Sequence, residues 1–137
     1  MALTDARTET RLPARDLDRA RAWYAEKLGL EPVEERPGGL RYCCGPTAFC
    51  LFASRGAADG AFTQLAFQVS DIEAEVAELR GRGVEFEEYD FPGFSTVDGI
   101  VEIDSNYPSK GAGERGAFFR DSEGNMISLG QAVPAAR

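Results

Sequence analysis

Glu9 and Arg11 stand two residues apart in Glu9-Thr-Arg-Leu-Pro-Ala-Arg15. In an extended strand alternate side chains share a face, so both project to the same side. A carboxylate there can act as a base, and a guanidinium can hold an anionic or polarised oxygen. The two can also simply close on each other as an ion pair. Tyr42 brings a phenol that can donate a hydrogen bond in a cleft or pack as a ring. Phe91, Phe94 and Tyr107, with Lys110, lie in one long segment from 91 to 113. Loops of that length often act as lids or binding loops, and aromatic rings over a cleft suit a flat organic ligand.

The chain of 137 residues contains no histidine. Ser-His-Asp and Cys-His catalysis are therefore excluded, and the commonest transition-metal ligand is missing. The three cysteines, Cys43, Cys44 and Cys50, have neither the even count of a disulfide framework nor the spacing of a closed zinc site. They are expected as small apolar residues packed in strands. No phosphate loop, dinucleotide fingerprint or basic-aromatic pattern is present.

A net charge of −8 argues against nucleic acid and anionic membrane surfaces as partners. At long range it favours cationic ligands. No apolar run reaches the length of a membrane span, and the first ten residues lack the apolar stretch of a secretion signal. The expected location is the cytoplasm.

These residues need strands to hold them. A strand is expected over 9–15, and Asp16 then caps a helix whose Leu17, Ala20, Tyr24 and Leu28 form one apolar stripe. Gly29 ends it. Strands follow over 30–35, 40–44 and 48–53, and then a small, polar linker. The order begins again with a strand over 63–69. A capping box of Ser70 and Glu73 opens a second helix that ends at Gly83, and strands are expected over 84–89, 116–120 and 125–129. Asp121-Ser122-Glu123-Gly124 reads as a turn whose value is conformational. Asp16-Leu17 matches Asp71-Ile72, and Gly29-Leu30-Glu31 matches Gly83-Val84-Glu85, so the chain is an internal repeat. The expectation is a single α+β domain over 1–137. It comprises module 1 at about 7–54, a linker at 55–61, and module 2 at about 62–131 with an insertion at 91–113.

Arg11-Leu-Pro-Ala-Arg-Asp-Leu-Asp-Arg-Ala-Arg-Ala-Trp-Tyr-Ala-Glu-Lys-Leu-Gly-Leu30 resembles the opening strand and helix of the glyoxalase/bleomycin-resistance (vicinal oxygen chelate) superfamily, and Phe118-Phe-Arg-Asp-Ser-Glu-Gly-Asn-Met-Ile127 resembles its closing hairpin. The resemblance implies two tandem βαβββ modules forming an open, curled mixed sheet around a cleft, often in a homodimer. Its enzymatic members place metal ligands on the first and last strand of each module. Those positions here hold Glu9, Cys50, Gln64 and Ser128, where the family usually has His, Glu and Gln. One carboxylate, one amide, one hydroxyl and one thiol make a poor donor set. No metal and no cofactor are therefore expected. The expected function is metal-independent binding of a small aromatic or hydrophobic organic molecule, in the manner of bleomycin-resistance proteins. The residues expected around it are Glu9, Arg11, Tyr42, Cys50, Gln64, Phe94, Tyr107 and Ser128. The alternative is an enzyme of the superfamily, a lyase, isomerase or dioxygenase, with a degenerate metal site and with Glu9 and Arg11 as catalytic candidates.

Overall fold

The computed structural model describes residues 3–135. In the first module, strand β1 (Thr10–Ala14) buries Leu12 and Ala14 and leaves Arg11 exposed. Helix α1 (Leu17–Trp23) opens at Asp16, whose carboxylate accepts the Arg19 N–H at 3.0 Å. It runs into a wider π-type turn (Tyr24–Leu28), and Gly29 closes it in the left-handed conformation at φ 69°. Strands β2 (Glu34–Arg36), β3 (Gly39–Cys44) and β4 (Thr47–Ala53) complete a four-stranded sheet in the order β1-β4-β3-β2.

The second module begins with β5 (Thr63–Gln68) and helix α2 (Ile72–Gly81). The expected capping box is corrected here. Asp71, not Ser70, accepts the N–H of the first turn, from Ala74 at 3.1 Å, and Glu73 instead binds Arg115 at 2.8 Å. Then come β6 (Asp90–Phe91), β7 (Phe94–Val97), β8 (Ile100–Ile103), β9 (Gly113–Arg120) and β10 (Met126–Val133). The sheet order is β5-β10-β9-β8-β7-β6.

Two strand expectations fail, for reasons of pairing. Of segment 30–35 only the end joins a ladder, because Pro32 has no N–H to give. Against β9, segment 84–89 makes a bridge from Phe86 to Phe119 and a bond from Glu87 N–H to the Phe118 carbonyl, while Tyr89 at its end turns to β7, its carbonyl accepting the Thr96 N–H at 2.9 Å. The rest of that edge of β9 belongs to β8, which pairs Val101 with Gly116. The segment expected as an inserted loop thus supplies the missing fourth strand of module 2 and a further hairpin beyond it. The α+β pair of modules is as expected, each module contributing one open sheet, and no ladder joins β1 to β5.

One core holds both modules together. Tyr24 packs on Tyr42 and Phe49, Trp23 stacks on Phe119, and Phe49 meets Phe67 edge-on. Each sheet therefore turns its apolar face inward and leaves the other face outward. No helix among the described residues is long and apolar enough to cross a membrane.

Candidate functional site

The outward face of the first sheet is set by register. Arg11 lies beside Cys50, Cys50 beside Arg41, and Arg41 beside Glu34. One step on, Pro13 lies beside Phe52, Phe52 beside Gly39, and Gly39 beside Arg36. Because side chains alternate, Leu12, Leu40, Tyr42, Phe49 and Leu51 go to the core and these residues go outward.

Glu9 organises this face. Its Oε1 accepts the Arg41 Nε–H at 3.1 Å and the Cys50 thiol at 2.9 Å. Arg41 also gives Nη1–H to Glu34 at 3.1 Å. The thiol and then Arg41 hold the Glu9 carboxyl below its ordinary range. Burial, and then the Glu9 carboxylate, push the Cys50 thiol up. Arg11 does not take Glu9 as its partner; its guanidinium lies over the Phe52 ring, 5.6 Å from the centroid. A cavity of about 490 Å³ opens here, lined among others by Glu9, Arg11, Arg36, Arg41, Cys50 and Phe52. Glu9 also borders a second groove of about 700 Å³, which runs to Ala66 and Gln68 of β5.

The other expected residues are spread more widely. Tyr42 is corrected: it is fully buried on the core side of β3, stacked on Phe49 at 5.0 Å, and does not reach the cleft. Gln64 sits at a bulge in β5, where Thr63 faces Met126 and Leu65 faces Ile127. Ser128 lies between Ala66 and Phe118 in the second sheet. Phe94 belongs to an aromatic group with Tyr89, Phe91 and Phe118, at centroid distances of 5.7–6.0 Å. Tyr107 is 73% exposed, with the Lys110 ammonium 5.6 Å from its ring centroid. Arg36, Arg41 and Phe52 were missed at the level of sequence. Their signal was the alternation of Leu40 and Tyr42 with Arg41, and of Phe49 and Leu51 with Cys50 and Phe52.

The four positions that carry metal ligands in the family's enzymes do not fit a metal here. The cation that Glu9 meets is a guanidinium, and its Oε1 already holds two donors. A thiol ligates as thiolate, yet Cys50 donates its proton to Glu9. Among the described residues no group of three His, Cys, Asp or Glu side chains is gathered to hold an ion.

The sequence profile of the glyoxalase/bleomycin resistance protein/dioxygenase superfamily matches residues 7–129. The chain belongs to this superfamily. No curated protein matches it. Solved structures of the superfamily fold do. Lactoylglutathione lyase from Agrobacterium tumefaciens is 28% identical, with 93% of each chain covered and a TM-score of 0.57. TnmS3, an antibiotic-binding protein from a Streptomyces species, is 22% identical, covering 94% of this chain and 98% of its own, with a TM-score of 0.61. A fosfomycin resistance protein from Listeria monocytogenes is 16% identical, covering 91% of this chain and 88% of its own, also with a TM-score of 0.61. Proteins similar to this chain in fold thus include a lyase and an antibiotic-binding protein, and the choice between such roles falls to the site.

Proposed function

We propose that this superfamily member binds a small aromatic or hydrophobic organic molecule in its cleft without a metal ion. The observation that carries the reading is the engagement of Glu9 by Arg41 and Cys50. The carboxylate at the family's first ligand position is spent on holding the sheet face together. The same engagement weakens the enzymatic alternative. A carboxylate held below its ordinary range is a poor base near neutral pH, and a thiol held above its range is a poor nucleophile. What the face offers instead is a cavity of about 490 Å³, within the usual size of small-molecule sites, with Phe52 exposed to it. TnmS3, similar in fold, is an antibiotic-binding protein.

The reading includes a homodimer in the cytoplasm. A single copy leaves the Glu9–Cys50 face open to solvent, and a second copy can cover it. Light scattering on the purified chain is expected to give twice the mass of 14.9 kDa. The function itself is tested by elemental analysis of untagged protein after incubation with Ni, Zn, Mn, Fe and Co, then by a thermal-shift screen with aromatic natural products. We expect no stoichiometric metal and a raised melting temperature with at least one compound. Metal bound near one per chain, abolished by Glu9→Gln, would overturn the reading.

A further inference from the structure

The charge on the first sheet's outward face does not follow the charge of the molecule. The chain carries −8 overall. At the cavity, Arg41 is matched by Glu9 and Glu34, and Glu35 is matched by Arg21 at 2.7 Å. Arg11 and Arg36 remain. Among the described residues neither has a carboxylate within 4.0 Å, although Glu9 draws weakly on Arg11 from farther off.

Both of these guanidinium stems lean toward the same place. Phe52 and Gly39 are neighbours across β4 and β3. Arg11 comes from the β1 side, with its guanidinium 5.6 Å above the Phe52 ring. Arg36 comes from the β2 side and folds over Gly39. Its Cγ and Nε lie 3.3 Å from where a Cβ on that glycine would stand. The missing side chain at Gly39 is what lets Arg36 lie down toward the phenyl ring. The result is an aromatic floor with an unmatched guanidinium at each side, in a cavity open to solvent.

We propose that the ligand of this cavity is an organic anion, an apolar or aromatic body carrying a carboxylate, sulfonate or phosphonate. Its body lies on Phe52 and its charged group is held by Arg11 and Arg36. This rests on the reading of the cavity as a small-molecule site and adds the sign of the ligand's charge. A guanidinium presents paired donors that match a planar or tetrahedral oxyanion, and one already resting on a ring loses little freedom on engaging it. Gly39→Ala belongs to the same prediction, because a methyl there pushes Arg36 away.

The test uses two fluorescent probes with the same body. 8-Anilinonaphthalene-1-sulfonate carries the anion; N-phenyl-1-naphthylamine lacks it. Each is titrated into the full chain as wild type, R11Q/R36Q, R11K/R36K and Phe52→Ala. We expect wild type to prefer the sulfonate by about tenfold or more, from two charge-assisted contacts. R11Q/R36Q should erase that preference and leave the neutral probe within about twofold, while R11K/R36K keeps part of it. Salt should weaken the sulfonate alone, a reading on unaltered protein that needs no variant to fold. Equal binding of the two probes by wild type overturns the anion proposal. So does a preference that survives in R11Q/R36Q. If the neutral probe still binds and depends on Phe52, the small-molecule reading stands and only the charge is wrong. If neither probe binds, both fall together.

Discussion

Cys50 shows how a single residue can occupy a reactive position and be held unreactive. Its thiol donates to Glu9 at 2.9 Å, and burial together with that carboxylate keeps it protonated. Cys43, one row along on the same face, is exposed. Attack on iodoacetamide requires thiolate and access, so at pH 8 Cys43 should be alkylated first and Cys50 several-fold more slowly. Removing the negative partner with Glu9→Gln should bring the Cys50 rate up toward that of Cys43. Peptide mass spectrometry over a time course reads both rates, and equal rates in the wild type would remove this account of the thiol. The shared face of Glu9 and Arg11 could be read from their spacing. The true partner of Glu9, Arg41, could not, because it depends on which residue of β3 stands opposite Cys50. That register is fixed by the tight turn at Gly45-Pro46, not by any pattern within one strand. Of the two roles open to the Tyr42 phenol, cleft donor or packed ring, the same alternation that sends Arg41 outward selects the second and sends Tyr42 into the core.

Among the elements, the two helices end in a matched way that follows the internal repeat. Each C-terminal glycine is covered by a cation from the other module: Lys27 lies over Gly83 and Arg82 over Gly29, with Arg82 also donating to the Glu26 carbonyl. A cation suits a helix C-terminus, where unpaired carbonyls carry partial negative charge. Gly83 has φ +92°, and a Cβ there would stand 2.6 Å from the Lys27 ammonium. Gly83→Ala should therefore cost about 1–2 kcal/mol, from the strained backbone and the displaced lysine. Gly81, two residues earlier and still helical, has nothing within 4 Å of its would-be Cβ. Gly81→Ala should gain roughly 0.5–1 kcal/mol. Thermal melts followed by circular dichroism should move in opposite directions for the pair; a shared direction would refute the assignment. Helix ends were legible for this reason: a glycine after an apolar stripe is a local signal. The strands of module 2 were less so. Asp98-Gly99, both at positive φ, is a two-residue hairpin signal between Phe94–Val97 and Ile100–Ile103. The internal repeat points instead to 84–89 as the second strand of the module, which leaves this hairpin inside the insertion. Competition for one edge of β9 decides that point, and no single segment records it.

At the scale of the whole molecule, the turn at residues 121–125 does more than reverse the chain. Asp121, Glu123 and Asn125 are all buried. Asn125 donates to the Pro13 carbonyl at 3.0 Å, and Tyr24 donates its hydroxyl to Asp121 at 2.6 Å. Burial first, and Asp121 second, push the Tyr24 phenol well above its ordinary range, so it remains a donor. Glu123 accepts the Asp16 N–H at the start of α1, at 3.0 Å, and takes two bonds from Arg19. Module 2 thus grips the β1–α1 junction of module 1 through a turn that the sequence marks only as a turn, since its partners lie about a hundred residues away. The grip has a pH signature. The Arg19 guanidinium and the Asp16 N–H hold the Glu123 carboxyl down at about 2, against about 4.3 for a free glutamate. A depressed carboxyl adds stability that is complete above the unfolded value and is lost as pH falls through the folded one. Here that window runs from about pH 5 down to pH 2, and the contribution at neutral pH is about 2–3 kcal/mol. Other carboxylates also titrate there, so the informative measurement is a difference. Urea unfolding of wild type and Glu123→Gln at pH 7, 4 and 2 should show a gap of about 2 kcal/mol at pH 7 that narrows at pH 4 and closes near pH 2. A gap that stays constant across the range would mean that Glu123 contributes shape alone and that its charge does not join the modules.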